Sequence, residues 1–286
     1  MDKLQLFMKI YMYELELYLN AHKSEILEIS FQSDEANTDR PLKEYLKRVI
    51  ENEHNRITGE ISEVIINQNQ TFYITDDIKQ LYVEHVLLPD EISDELKILL
   101  SESKNAVYTN PDICLKINDS GNIQYETIEL KSTKYDSIPG SSVQQISPEE
   151  WVIFIKHTKN SVIVTTGMYF HAINAKMQFP DRSPRPQVSF SELENWNRMH
   201  RIYHTNKLHY RSSDEDTIKR ELLLDWQGVL AKRWKNILFT FDKNKKEPWF
   251  NNNLRKFILE FLAVYDEFDE IKKEEYKALI SSLIEK

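Results

Sequence analysis

The stretch Pro111-Asp112-Ile113-Cys114-Leu115-Lys116-Ile117-Asn118-Asp119-Ser120-Gly121-Asn122-Ile123-Gln124-Tyr125-Glu126-Thr127-Ile128-Glu129-Leu130-Lys131 alternates apolar and polar residues around a turn. Ile113, Leu115 and Ile117 recur with period two, Asn118 to Asn122 carries strong turn chemistry, and Tyr125 to Lys131 reads as the returning strand. The pattern predicts a β-hairpin. Residues two apart on a strand share a face, so Glu129 and Lys131 project together while Ile128 and Leu130 turn to the core. With the turn centred near Ser120, Asp112 falls opposite residue 128, one residue from the level of Glu129. Two carboxylates and one ammonium then share an end of the hairpin, where repulsion between the acids favours a cation and hard oxygen ligands suit Mg²⁺. The plain alternative is an exposed hairpin with three solvated charges.

The Glu-x-Lys spacing gains its meaning from the strand. Other copies stand at Glu95-Leu96-Lys97 (after Pro89-Asp90), Glu102-Ser103-Lys104, Glu270-Ile271-Lys272 and Glu275-Tyr276-Lys277. The copy at Glu95 runs on into Ile98, Leu99 and Leu100 with helical spacing. Positions i and i+2 on a helix do not face the same way, so Glu95 and Lys97 cannot converge on one ion.

Outward from the hairpin, helical periodicity predicts helices over 3–30, from Pro41 through 42–67, and over 90–102. Trp151–Ile155 and Val162–Phe170 are β-branched and aromatic runs that read as two further strands. Pro180, Pro184 and Pro186 mark an extended loop over 178–190, and helices follow at about 191–204, 215–238, 250–264 and 268–285. The expected fold class is α/β: an α+β sandwich with a central mixed sheet of at least four strands between N- and C-terminal helices. One domain is expected over 1–286, helical in 1–105, with the sheet in 106–175 and a loop and helices in 176–286.

The composition, 41% hydrophobic and 29% charged, supports a substantial core and excludes a disordered or fibrous chain. Cys114 is the sole cysteine, so no internal disulfide forms. No apolar run reaches membrane-span length, and Glu14 and Glu16 interrupt the N-terminal apolar residues, so a cytoplasmic protein away from membranes is expected. The net charge of -9 is uneven. Residues 1–100 carry 10 Lys and Arg against 20 Asp and Glu, whereas 151–212 carry nine basic groups against three acids. The acidic average is therefore a weak objection to a nucleic-acid partner. His157, His171, His200, His204 and His209 fall in that basic block; a zinc pair at His200 and His204 is a minor reading without a third ligand.

Pro-Asp, a hairpin, then Glu-x-Lys on the second strand resembles the signature of the PD-(D/E)xK nucleases. The continuation Ser132-Thr133-Lys134, Ile138 through Gln145, and Trp151 through Lys156 is similar to type II restriction endonucleases, over about residues 56–170. The resemblance implies Mg²⁺-dependent hydrolysis of double-stranded DNA within a short recognition sequence. Asp112 and Glu129 would hold the metal, and Lys131 would stabilise the phosphorane charge or orient the attacking water. Many members add a glutamate from the preceding helix; the spacing Arg56, Gly59, Glu63 nominates Glu63, with Glu60 as competitor. Contacts to DNA are expected from Lys134, from Ser141, Ser142 and Gln144 in the Pro-Gly loop, and from Arg182, Arg185, Gln187, Asn195, Asn197, Arg198 and Arg201. A dimer is expected, either a homodimer on a palindrome or a heterodimer whose subunits each cut one strand. A repair or recombination nuclease with the same core, and a DNA-binding module without metal, are the alternatives.

Overall fold

A computed structural model of the chain describes residues 1–29, 35–104, 111–139, 147–158, 160–174, 186–240 and 252–284. Helix α1 (Lys3–Ala21) starts with a capping box between Asp2 and Gln5 and buries Phe7, Met8, Ile10, Tyr11, Met12, Leu15 and Leu19. Apolar residues on so much of its circumference make it a central helix rather than a surface one. The expected helix over 3–30 breaks at His22, beyond which α2 (Lys23–Glu28) continues. Helix α3 (Glu35–Asn52) contains Pro41 and packs Leu42, Leu46, Val49 and Ile50 inward.

Strands β1 (Glu63–Ile66), β2 (Gln70–Tyr73) and β3 (Tyr82–Leu87) follow, with α4 (Asp76–Lys79) between the last two. The expected helix over 42–67 therefore ends early. Gly59 adopts φ +80, a left-handed conformation no helix accommodates, and Val64 and Ile65 belong to a strand. After α5 (Asp94–Lys104) come β4 (Ile113–Asp119), β5 (Asn122–Thr133), β6 (Ser137–Pro139), β7 (Trp151–His157) and β8 (Val162–Met168). A 3-10 turn (Tyr169–Ala172), β9 (Ile173–Asn174), β10 (Gln187–Ser189) and α6 (Phe190–His200) lead to a second hairpin, β11 (Arg201–His204) and β12 (Lys207–Tyr210). Its Thr205-Asn206 turn has positive φ at both residues, and the helix expected to reach 204 stops at His200, where Arg201 turns to extended geometry.

The architecture is mixed α/β. A five-stranded sheet runs β3-β4-β5-β7-β8, antiparallel except where β5 meets β7. A four-stranded sheet runs β11-β12-β1-β2 and a small one β6-β10-β9. One face of the five-stranded sheet, carrying Ile113, Leu115, Ile128, Leu130, Ile153 and Val164, joins the core built with α1 and α3. On the other face Cys114 packs against Ile92 and Leu100 around α5, and Phe154 meets Phe190 of α6 edge-on. Gly167 lets α6 lie close, since a Cβ there would stand 2.7 Å from Leu193 Cδ1.

The chain divides into two compact units where the sequence reads as one: Met1–Met177 with Arg185–Gln227, and Gln178–Pro184 with Gly228–Lys286. Helix α7 (Glu215–Leu238) leaves helical geometry at Asp225. In the second unit, α8 (Asn252–Asp266) and α9 (Glu270–Ser282) meet through Phe261, Phe268 and Tyr276, and Asp269 caps α9. No helix of the described residues is long and apolar enough to cross a membrane.

Two buried histidines tie this core to pH. Burial pushes His54 down to about 4. Burial, then the charges of Lys9 and Arg220, hold His171 well below the ordinary histidine range. Both stay neutral in the folded chain near pH 7 while the unfolded chain protonates below about pH 6.5, so their stabilisation is complete above that pH and is lost as pH falls, for His54 toward 4. Urea unfolding at pH 5 should give a free energy lower than at pH 7 by about 2 kcal/mol from His54, with His171 acting in the same direction. Equal stability at the two pH values would contradict the neutral assignment.

Candidate active site

The hairpin turn consists of two residues, Ser120 and Gly121, both at positive φ as a type I′ turn requires. The ladder therefore pairs Asp119 with Asn122 and ends with Ile113 opposite Ile128. Continuing that register by one step sets Asp112 opposite Glu129 itself, not opposite residue 128. The sequence expectation was off by one because the turn is centred between Ser120 and Gly121 rather than on Ser120.

Asp112 is held at the strand end by its own side chain. One carboxylate oxygen accepts the Leu130 N–H at 2.9 Å, and the other pairs with Lys43 Nζ of α3 at 2.8 Å. Glu129 pairs with Lys131 on the same face of β5. Side-chain exposures are 21% for Asp112, 13% for Glu129, 16% for Lys131 and 10% for Lys43, which rules out the reading of freely solvated charges. Strand β5 lies between β4, whose same-facing Cys114 is covered at α5, and β7, whose Phe154 is covered by α6. The start of α6 is fixed by Asp136, which accepts from the Ser189 and Ser191 hydroxyls at 2.9 and 2.8 Å.

Burial, then the negative charge of Asp112, pushes the Glu129 carboxyl up to about 7 against the opposing pull of Lys131, and Glu150 adds to the rise. For Lys131, burial works to lower the pKa, but Glu129 and the neighbouring acids outweigh it and the ammonium is retained. A carboxyl whose ionisation a neighbouring acid opposes, with a lysine beside it, can receive a cation and present a positive charge to an anionic substrate.

Two members of this cluster escape a sequence reading. Glu150 immediately precedes β7, is 1% exposed, and lies on the Glu129 side of the sheet by the parallel register. Its position just before an apolar strand was the available signal. Lys43 adjoins the apolar stripe of an amphipathic helix, and nothing local marks it. Replacing Lys43 by Met should strip Asp112 of its counter-charge beside a second acid. Chelated protein at pH 7.5 should then lose about 3 kcal/mol of unfolding free energy; an unchanged urea midpoint would show that solvent, not Lys43, balances Asp112.

Glu63 does not join the cluster. It sits on β1 in the four-stranded sheet, paired with Lys207 at 2.9 Å, because the segment is a strand and not the expected helix. Glu60 is exposed on the preceding loop. Among the described residues no three His, Cys, Asp or Glu side chains gather as a metal group. His200 ends α6 and His204 lies on β11, so they share no helix.

Of the candidate DNA contacts, Ser141, Ser142, Gln144, Arg182 and Arg185 lie outside the described residues. The described residues flanking those segments are neighbours: Gln187 pairs with Pro139 on one side and Asn174 on the other. Lys134 and Arg198 are exposed. Arg201 is buried and taken up internally, pairing with Glu16 at 2.6 Å and donating to the Thr166 carbonyl at 3.0 Å. Asn197 is likewise buried, donating to Thr165 and Thr166. Both are removed from the set of candidate base readers, since a guanidinium or amide buried in the core does not reach a base edge. Compared with known protein families, characterised proteins and solved structures, the chain matches none.

Proposed function

We propose that this chain is a Mg²⁺-dependent deoxyribonuclease of the PD-(D/E)xK type, cutting duplex DNA at a short specific sequence as type II restriction endonucleases do. The carrying observation is the opposition of Asp112 and Glu129 across one hairpin, with Lys131 on the same face as Glu129. The donor set fits Mg²⁺, which binds through one or two carboxylates and leaves its other positions to water and phosphate oxygens. Asp112 and Glu129 would hold the ion. When bound it supplies polarisation of the scissile phosphate and a more acidic water. Lys131 keeps its proton and offers the ammonium to the phosphate, in surroundings where burial strengthens the attraction. Lys43 neutralises Asp112 until the ion arrives. Recognition is assigned to the segments flanked by Pro139, Asn174 and Gln187, together with Lys134 and Arg198, and two copies would serve the two strands.

A metal-free DNA-binding module draws on one specific observation: each carboxylate already has an ammonium partner. Incubation with plasmid and Mg²⁺ separates the readings. Discrete fragments support site-specific cleavage, structure-dependent products indicate a repair nuclease, single nicks indicate one subunit of a heterodimer, and intact DNA that is shifted on a gel indicates the module.

A further inference from the structure

Away from the hairpin, a pocket of about 320 Å³ opens between α1, the loop after α3, and β11. That volume lies in the range of small-ligand sites, roughly 300 to 1,000 Å³. Tyr13 and Tyr18 of α1 and Tyr203 of β11 contribute three aromatic rings to its walls, and Glu14 and Glu60 contribute two carboxylates. Glu14 is buried at 6% exposure. Its oxygens accept the Thr58 N–H and hydroxyl, each at 2.7 Å, and each oxygen retains a lone pair. Among the described residues no lysine or arginine pairs with either acid, and Glu60 repels Glu14. His54 also lines the pocket, and its buried Nε2 has no hydrogen-bond partner among the described residues.

We propose that this pocket binds a small organic ammonium ion, with the tyrosine faces and the Glu14 and Glu60 carboxylates as its recognition elements. A neutral apolar ligand would bury Glu14 without compensation. A bare metal ion would find aromatic walls where it needs oxygen ligands. A methylated or quaternary ammonium is weakly hydrated and is drawn to the negative faces of the rings, while the two acids supply the counter-charge. Burial raises the Glu14 carboxyl above its ordinary range, the condition that a neighbouring cation relieves. This pocket shares no residue with the hairpin cluster, so the inference stands or falls apart from the nuclease reading.

The test is calorimetric titration of the full chain, without DNA or Mg²⁺, using choline and its neutral carbon analogue 3,3-dimethyl-1-butanol. Choline should bind saturably and at least about tenfold more tightly than the alcohol. Tyr203→Ala and Glu60→Gln alter exposed side chains and should each weaken choline about fivefold or more while melting temperatures hold. Absence of choline binding, equal affinity for the alcohol, or undiminished binding by both variants would overturn the proposal.

Discussion

Lys131→Ala should slow Mg²⁺-dependent plasmid cleavage by at least about a hundredfold, the usual loss when one positive or hydrogen-bonding group is removed from a developing oxyanion. Duplex binding measured in Ca²⁺ should stay within about threefold, because one phosphate contact among many contributes little to affinity. The split matters, since a misfolded variant would lose both. Lys131 is placed by strand geometry: it shares a face with Glu129, and its ammonium is retained by that neighbour despite burial. Lys131→Arg tests the point further. Arginine keeps the charge but spreads it over a planar fork that does not fit the space of a compact ammonium, so it should restore only a small part of the rate. Full activity of the alanine variant would falsify the assignment of this site.

Arg201→Met should cost about 3 to 5 kcal/mol of unfolding free energy, since truncating one partner leaves the largely buried Glu16 without its counter-charge. Glu16 accepts from Arg201 and also from the Thr166 N–H, so this one arginine ties α1, β8 and β11 together. Denaturant titration would register the loss, whereas DNA affinity of the remaining folded protein should match the parent. A variant of undiminished stability that bound DNA poorly would return Arg201 to the recognition surface. Arg198, exposed three residues earlier on α6, is the matched control: Arg198→Ala should leave stability within about 0.5 kcal/mol.

How much of this was legible in the residues depends on the range of the forces involved. The Asp112–Lys131 hairpin was readable because alternation and turn chemistry are local: a two-residue turn with Gly121 and strands of period two specify both the strand and the face. The Glu95 copy of Glu-x-Lys was likewise excluded locally, and it does lie on a helix. The strands β1 and β2 were missed for an equally physical reason. Ile57, Ile61, Val64 and Ile65 satisfy helical spacing as well as a loop entering a strand, and the left-handed Gly59 decides between them only once the chain is folded.

Sequence alone thus determined the hairpin, the shared face of Glu129 and Lys131, and the mixed α/β class, because all three follow from neighbours along the chain. Only the tertiary structure decided that Lys43 balances Asp112, that Glu150 joins the acids, that Glu63 stays apart and that Arg201 is a core ion pair. Arg201 and Glu16 are 185 residues apart. An arginine destined for DNA and one destined for the interior are the same side chain until a distant helix brings the carboxylate that settles which it is.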